Sequence, residues 1–350
     1  VTSTIESSSS EPKSAGALEG NRSFTWFTPA RRKPTEYESY TVGQLSGPDQ
    51  WLHVDWPLRF DDGRAPWVEE ASEVRTAHWR DYRDPAQLWQ RPYVSTRNQD
   101  QQALARLLPV LAGGAGSAIE EKWAQQILSR YYAAWPFVEY GLFLSLAYAV
   151  RQAMSDTIQF TVVFQAADRM RLLQDIVYHL DVLGEQIPGF SDAGAREAWM
   201  TDPALMPIRE TVEAIIACED WVETVVAGTL VFEPLIGSLA KTELFMSHAG
   251  AFGDRATPAV LAGAAADTAR HISSIQALVQ LVSEDPEHGK ANQVVIADWV
   301  GRWRDRCSAA AHNFLGAFEA CGIESDARNN ALSRAVAAAD AAADGAGVAA

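Results

Sequence analysis

Residues 135–150, WPFVEYGLFLSLAYAV, decide the fold. The run lies within a helical pattern from about Ser117 to Met154. After Trp135 it is apolar on most faces, with Glu139 as its one charge before the end. A helix that is apolar all round must be enclosed by other elements, so this one is read as buried. Pro136 has no N–H to give the helix and is expected to kink or interrupt it.

Outward from this helix, the chain continues in the same style. A helix is expected from about Asp156 to Leu183, ended by Gly184 and Pro188-Gly189. A short one holds Glu197–Trp199. Another runs from near Pro203 to about Phe232, is broken or kinked at Pro234, and resumes to about Ala251. Further helices span about Thr257–Ser283 and Lys290–Cys321. Before the buried helix, residues 68–84 (VEEASEVRTAHWRDYRD) read as an amphipathic helix ending at Asp84-Pro85, and Asn98–Leu111 as another. Phe160-Thr-Val-Val-Phe is the one strand-like run, and it sits inside a helical pattern. No repeat of 34–45 residues is visible. The body is therefore all-α: a large bundle of long antiparallel helices joined by short loops.

The two ends differ from the body. Residues 1–22 are rich in Ser, Glu and Gly and read as a disordered tail. Residues 23–68 hold many Trp, Tyr and Phe between Pro29, Pro34, Pro57 and Pro66, without helical periodicity. Large aromatics, each able to bury about 150–250 Å², are not left in water. This stretch is read as an extended arm lying on its own body or on another chain. The helical domain is set at 69–325. The Ala-rich tail, 326–350, has little apolar bulk and is expected to be a frayed helix or disordered.

The chain has 350 residues, 47% hydrophobic and 21% charged, with 29 Lys and Arg against 45 Asp and Glu, a net charge of −16. That balance argues against nucleic-acid binding, which needs a basic surface, and against an anionic membrane. No stretch reaches roughly 18 uncharged apolar residues. Cys218, Cys307 and Cys321 stand far apart, which suits a reducing cytoplasm.

A bundle of long helices raises the prospect of a carboxylate-bridged metal centre, built from a Glu on each of two helices and a Glu-x-x-His pair on each of two more. The residues three before the seven histidines are Gln50, Arg75, Ile176, Phe245, Thr268, Asp285 and Ala309. No Glu-x-x-His exists. Asp175/His179, with Asp168 two turns earlier on the same face, and Asp267/His271 are spaced i, i+4; a metal or proton-relay site is one reading, and carboxylate–imidazole pairs at helix contacts are the expected one. Glu139 lies in an apolar helix and Glu233 precedes Pro234; each is a candidate perturbed carboxylate, and the expected reading is that each pairs with an Arg or a helix end. A metal set drawn from Glu139, Asp175, His179, Glu219, Glu223, Glu243, His248 or His271 would need four of these to converge. Nucleotide-binding glycine loops, GxSxG and HExxH are absent.

Three segments carry a resemblance: Pro34–Thr41 (PTEYESYT), His78–Ser95 (HWRDYRDPAQLWQRPYVS) and Ala195–Glu210 (AREAWMTDPALMPIRE). Together they resemble the hydroxylase β (small) subunit of bacterial multicomponent monooxygenases, over about residues 24–320. The resemblance implies a ferritin-like bundle without catalytic residues, metal or cofactor of its own. It implies a partner α subunit that holds a di-iron centre and inserts one oxygen atom of O₂ into a hydrocarbon. A second αβ protomer, a possible γ subunit, a coupling protein and a reductase with NAD(P)H, FAD and Fe–S would complete the system. The likeness to the alkene branch of that family implies alkene epoxidation, with propane, cyclic-ether or aromatic hydroxylation by the same type of complex, or a helical scaffold unrelated to oxygenases, as alternatives. Candidate subunit contacts are Trp26, Arg31, Arg32, Tyr37, Tyr40, Trp51 and Trp56 in the arm, then Trp79, Arg80, Arg83, Asp84, Trp89 and Tyr93. The Arg80–Pro85 run serves equally well for an intrachain network.

Overall fold

A computed structural model describes residues 27–44, 63, 68–113 and 118–348. The chain forms two units, Val1–Leu58 and Arg59–Ala350. Trp26, Trp51, Trp56 and the 1–22 tail lie outside the described residues.

In the first unit the described arm is not wholly extended. It contains a one-turn helix, α1 (Glu36–Tyr40), and a 3₁₀ turn, Val42–Gln44. Thr35 and Glu38 form a capping box: the Glu38 N–H donates to Thr35 Oγ1 (3.1 Å) and the Thr35 N–H to Glu38 Oε2 (2.8 Å).

The second unit is helical, with no strand among the described residues. Its helices are α2 (Gln90–Gly113), α3 (Glu121–Gln152), α4 (Asp156–Gln186), α5 (Ala195–Thr201), α6 (Met206–Ile216), α7 (Trp221–Phe252), α8 (Ala256–Ser283), α9 (Gly289–Ala320) and α10 (Ser325–Gly345). Helices α3 and α4 pack as a hairpin. Helix α7 is central, flanked by α8, α9 and α10, while α2 lies against α4 and α8.

By length and composition α3 and α7 are apolar enough to cross a membrane. Most of the apolar window of α7, 89%, is instead buried inside the fold. It is the core helix of this bundle.

Neither Pro136 nor Pro234 breaks its helix. Helix α3 is π-helical over Ala124–Tyr132, just before Pro136, and α7 over Val226–Met246, around Pro234. The widened turns carry the helix past a residue that cannot donate to the ladder.

Three further expectations are corrected. Residues 68–89 are largely irregular, with 3₁₀ turns at Glu69–Ala71 and Trp79–Asp81. Local hydroxyls capture backbone N–H groups there: Val74 donates to Ser72 Oγ and His78 to Thr76 Oγ1. Distant helices take others, for Asn292 bonds both the N–H and the C=O of Arg75. The helix read from Pro203 to Phe232 is two helices, because the Asp220 carboxylate accepts from the Val222 and Glu223 N–H groups and starts α7 afresh. The tail is an ordered helix. Ala331, Ala335, Ala339, Ala342 and Ala343 are buried on one face of α10, which packs on α7. Small side chains allow close approach there, so burial needs no bulk.

Candidate functional site

The centre of the α3–α4–α7–α8 bundle holds four charged side chains. Glu139 of α3, Arg169 of α4, and Glu233 and Lys241 of α7 are 0%, 5%, 2% and 5% exposed. Arg169 Nη1 donates to Glu139 Oε2 (3.1 Å) and to Glu233 Oε2 (2.6 Å). Lys241 Nζ lies 3.2 Å from Glu139 Oε1 and 2.6 Å from Glu233 Oε1. Each cation therefore bridges both carboxylates, and the quartet is neutral. Trp135 Nε1 donates to Glu139 (2.9 Å) and Thr268 of α8 to Glu233 (3.0 Å), so all four helices take part. Gly237 makes the room, since a Cβ there would sit 2.7 Å from the Glu233 carboxyl carbon. Burial opposes the charge on Glu233, but Arg169 and Lys241 outweigh it and hold the carboxyl at about 2.

Beside the quartet a second network joins α2, α4 and α8. Asp267 accepts from Arg97 (2.7 Å) and Arg270 (2.8 Å) and pairs with Arg171. Asp168 accepts from Tyr93 Oη (3.1 Å), meets His271 Nε2 at 3.0 Å and pairs with Arg270. The i, i+4 pairs expected from spacing do not form. His271 reaches across to Asp168 instead of Asp267, and Asp175 pairs with Arg171 (3.2 Å). His179 Nδ1 meets Tyr132 Oη at 3.0 Å. Guanidinium groups from the same and from neighbouring helices outcompete the local imidazoles for the carboxylates.

Burial pushes the His179 imidazole down to about 4, although Asp254 pulls the other way. An unfolded chain, whose histidine titrates near ~6.5, then takes up the proton first. Stability from this group is complete above that pH and is lost as pH falls through about 4. His179→Gln should therefore remove about 2 kcal/mol of the stability lost between pH 7 and pH 5. Urea unfolding at the two pH values checks this, and an unchanged pH dependence would contradict it.

A metal does not fit the centre with the residues present. The two glutamates that could bridge it are already neutralised by Arg169 and Lys241, which stand between them. Among the described residues no group of three or more His, Cys, Asp or Glu side chains converges to hold an ion. Other members of the wider carboxylate and histidine set are spoken for: Glu223 accepts from Trp303 Nε1 (2.7 Å), and Glu243 holds Arg334.

The candidate contact residues divide by burial. Arg31, Arg32 and Tyr40 are exposed and Tyr37 is buried. Arg80, Arg83 and Trp89 are partly buried, with Arg83 Nη1 donating to the carbonyls of Arg80 and Tyr82. Trp79, Asp84 and Tyr93 are inside their own unit. Trp79 packs on Trp221 with ring centres 5.2 Å apart. Asp84 accepts from the Ala86 and Leu88 N–H groups and from Ser274 Oγ (2.8 Å), which resolves it as an intrachain anchor. Tyr93 stacks on Phe164 at 4.3 Å. Sequence reading singled out Glu139 and Glu233 but missed Arg169 and Lys241. The available signal was Lys241 itself, a lone cation in the long apolar run of α7.

The methane/phenol/alkene hydroxylase family matches the chain over residues 56–286. The chain is 31% identical over 306 residues to the small subunit of the propane 2-monooxygenase hydroxylase component of Rhodococcus jostii (strain RHA1), covering 85% of this chain and 82% of that one. It is 30% identical over 312 residues to the methane monooxygenase component A beta chain of Methylococcus capsulatus (strain Bath), covering 86% and 80%. In fold it resembles xenon-pressurised phenol hydroxylase from Pseudomonas sp. OX1, with a TM-score of 0.75 at 16% identity, over 91% of this chain and 92% of that one. The chain belongs to the methane/phenol/alkene hydroxylase family. Within it, this is a small (β) subunit of a multicomponent monooxygenase hydroxylase, with a ferritin-like bundle. The expected alkene specificity is not supported, because the two relatives are named for propane and methane.

Proposed function

We propose that this chain is the non-catalytic partner of a di-iron α subunit in an O₂- and NAD(P)H-dependent monooxygenase acting on a small hydrocarbon. The observation that carries this is the neutral quartet. It occupies the bundle centre with side chains that bind each other rather than a metal. The likeness to propane 2-monooxygenase small subunits supports a small alkane as substrate. The assembly is (αβ)₂ or (αβγ)₂, served by a coupling protein and a reductase carrying FAD and Fe–S, in the cytoplasm.

An apolar stripe on α3 supports a partner surface. Phe137, Tyr140 and Leu144 are exposed on one helix face, and Phe160 and Val163 of α4 are exposed as well. Arg31, Arg32 and Tyr40, with Tyr37, Trp26, Trp51 and Trp56, are assigned to the arm's contacts with the same partner. Arg80, Arg83 and Trp89 are assigned to the same partner surface, while Trp79 and Asp84 act from inside by holding the irregular strap of residues 68–89 on the bundle and Tyr93 by holding α2 on α4.

A tagged chain purified from its own host tests the reading. It should bring down a larger subunit with two Glu-x-x-His motifs, and the reconstituted system should consume propane with NAD(P)H and O₂. A chain that purifies alone, or with a partner lacking those motifs, would contradict it. Turnover of toluene but not propane would move the substrate assignment to the aromatic branch.

A further inference from the structure

We propose that a cavity between α7, α8 and α10 binds a small neutral aliphatic molecule with one acceptor oxygen at its end, as an alkanol has. The cavity has a volume of about 230 Å³. Leu261 and Ile272 of α8, Met246 of α7 and Ala338 of α10 form its walls. Ala265 and Ala269, one turn apart on α8, also line it and are exposed, so the cavity reaches the surface beside them. An apolar cavity of about 150 Å³ is enough to take up benzene. On that scale this one holds roughly six to nine non-hydrogen atoms.

The inner end selects the ligand. Glu233, Lys241 and Thr268 close the cavity where it meets the quartet. Glu233 already accepts from Arg169 and Thr268 and pairs with Lys241. The charges there are balanced, so an anion or a cation finds no free counter-charge and would lose its hydration without return. Lys241 still has something to offer. Its ammonium carries three N–H donors, and Glu139 and Glu233 take two of them. No further acceptor among the described residues takes the third, which is left for an oxygen of the ligand. Small neutral ligands are held in this way, by apolar walls and a few placed polar groups that fix their orientation. A hydrocarbon of the same size would fill the walls and leave that donor unmet. The site lies wholly in this chain, so it stands whatever the partner subunit proves to be.

A diazirine analogue of hexan-1-ol, photolysed with the assembly purified from its own host, tests the proposal. Peptide mass spectrometry should find adducts on this chain in the segments holding Met246, Leu261 and Ile272. The matching diazirine alkane, at the same micromolar concentration, should label these segments about tenfold less, for want of the charge-assisted hydrogen bond. Excess hexan-1-ol should displace the label, and hexanoate or hexylamine should not. Ala265→Phe fills the mouth from its exposed side and should cut the labelling about tenfold while assembly is kept. Should that variant fail to assemble, Ala338→Leu on another wall decides in the same way. Labelling confined to other subunits or to other segments of this chain would overturn the proposal. So would equal labelling by the alkane, displacement by the charged competitors, or adducts that survive the cavity-filling substitutions.

Discussion

Arg169→Met is expected to destabilise the chain by about 3–5 kcal/mol, because it leaves a buried carboxylate uncompensated. Arg169 bridges Glu139 and Glu233 at 3.1 and 2.6 Å, and both are sealed from solvent. Lys241 alone cannot neutralise two glutamates. A loss of that size is a large part of a domain's usual ~5–15 kcal/mol. The yield of assembled hydroxylase should therefore fall severely. The deficit should be recovered in part by Glu233→Gln in the same chain, which removes the orphaned charge. A double-mutant cycle on thermal or urea unfolding should return a coupling of about 2 kcal/mol or more between the two positions. Additive effects would show that the quartet is not an electrostatic unit.

Trp79→Ala is the second large effect, at about 3–5 kcal/mol for a buried aromatic. Trp79 opens a 3₁₀ turn in the irregular strap before α2 and packs at 55° on Trp221, at the start of the core helix α7. Its loss opens a cavity between strap and core and loosens the segment that Asp84, Thr76 and Arg75 anchor to α8, α9 and the turn between them. The yield of complex should drop, while turnover per iron in the surviving complex stays close to the unmodified value. A variant that assembles normally but loses turnover per iron would give this chain a role in the chemistry that the structure does not show.

Much of this architecture was legible in the sequence for a simple reason. Residues 135–150 and the helices α4, α8 and α9 announce themselves by long apolar periodicity, which few other structures can satisfy. The strap over residues 68–89 was misread because its charges mimic an amphipathic helix. What undoes that helix is tertiary: Asn292 and Asp220 take its backbone groups from more than a hundred residues away. The α10 tail was misread because alanine has little to bury, yet its smallness is what lets it pack on α7. The capping box Thr35-x-x-Glu38 was present in the sequence and specifies α1.

The site was legible by half. The absence of Glu-x-x-His could be checked residue by residue, and Glu139 and Glu233 stood out as lone acids in apolar helices. That the two meet, and that one arginine and one lysine serve both, depends on how α3, α4 and α7 pack. Sequence spacing carries no information about pairs 94 residues apart on different helices. The same blindness paired Asp267 with His271, where the fold gives Asp267 to three arginines.

In the proposed function this chain supports iron chemistry without holding iron. Native mass spectrometry of the hydroxylase from its own host, followed by metal analysis of the separated subunits, tests it most directly. A complex of about twice the summed masses of this chain and a larger partner is expected, with all of the iron in the partner. A monomer or homo-oligomer of this chain carrying about two irons per copy would contradict it and make this chain the oxygenase.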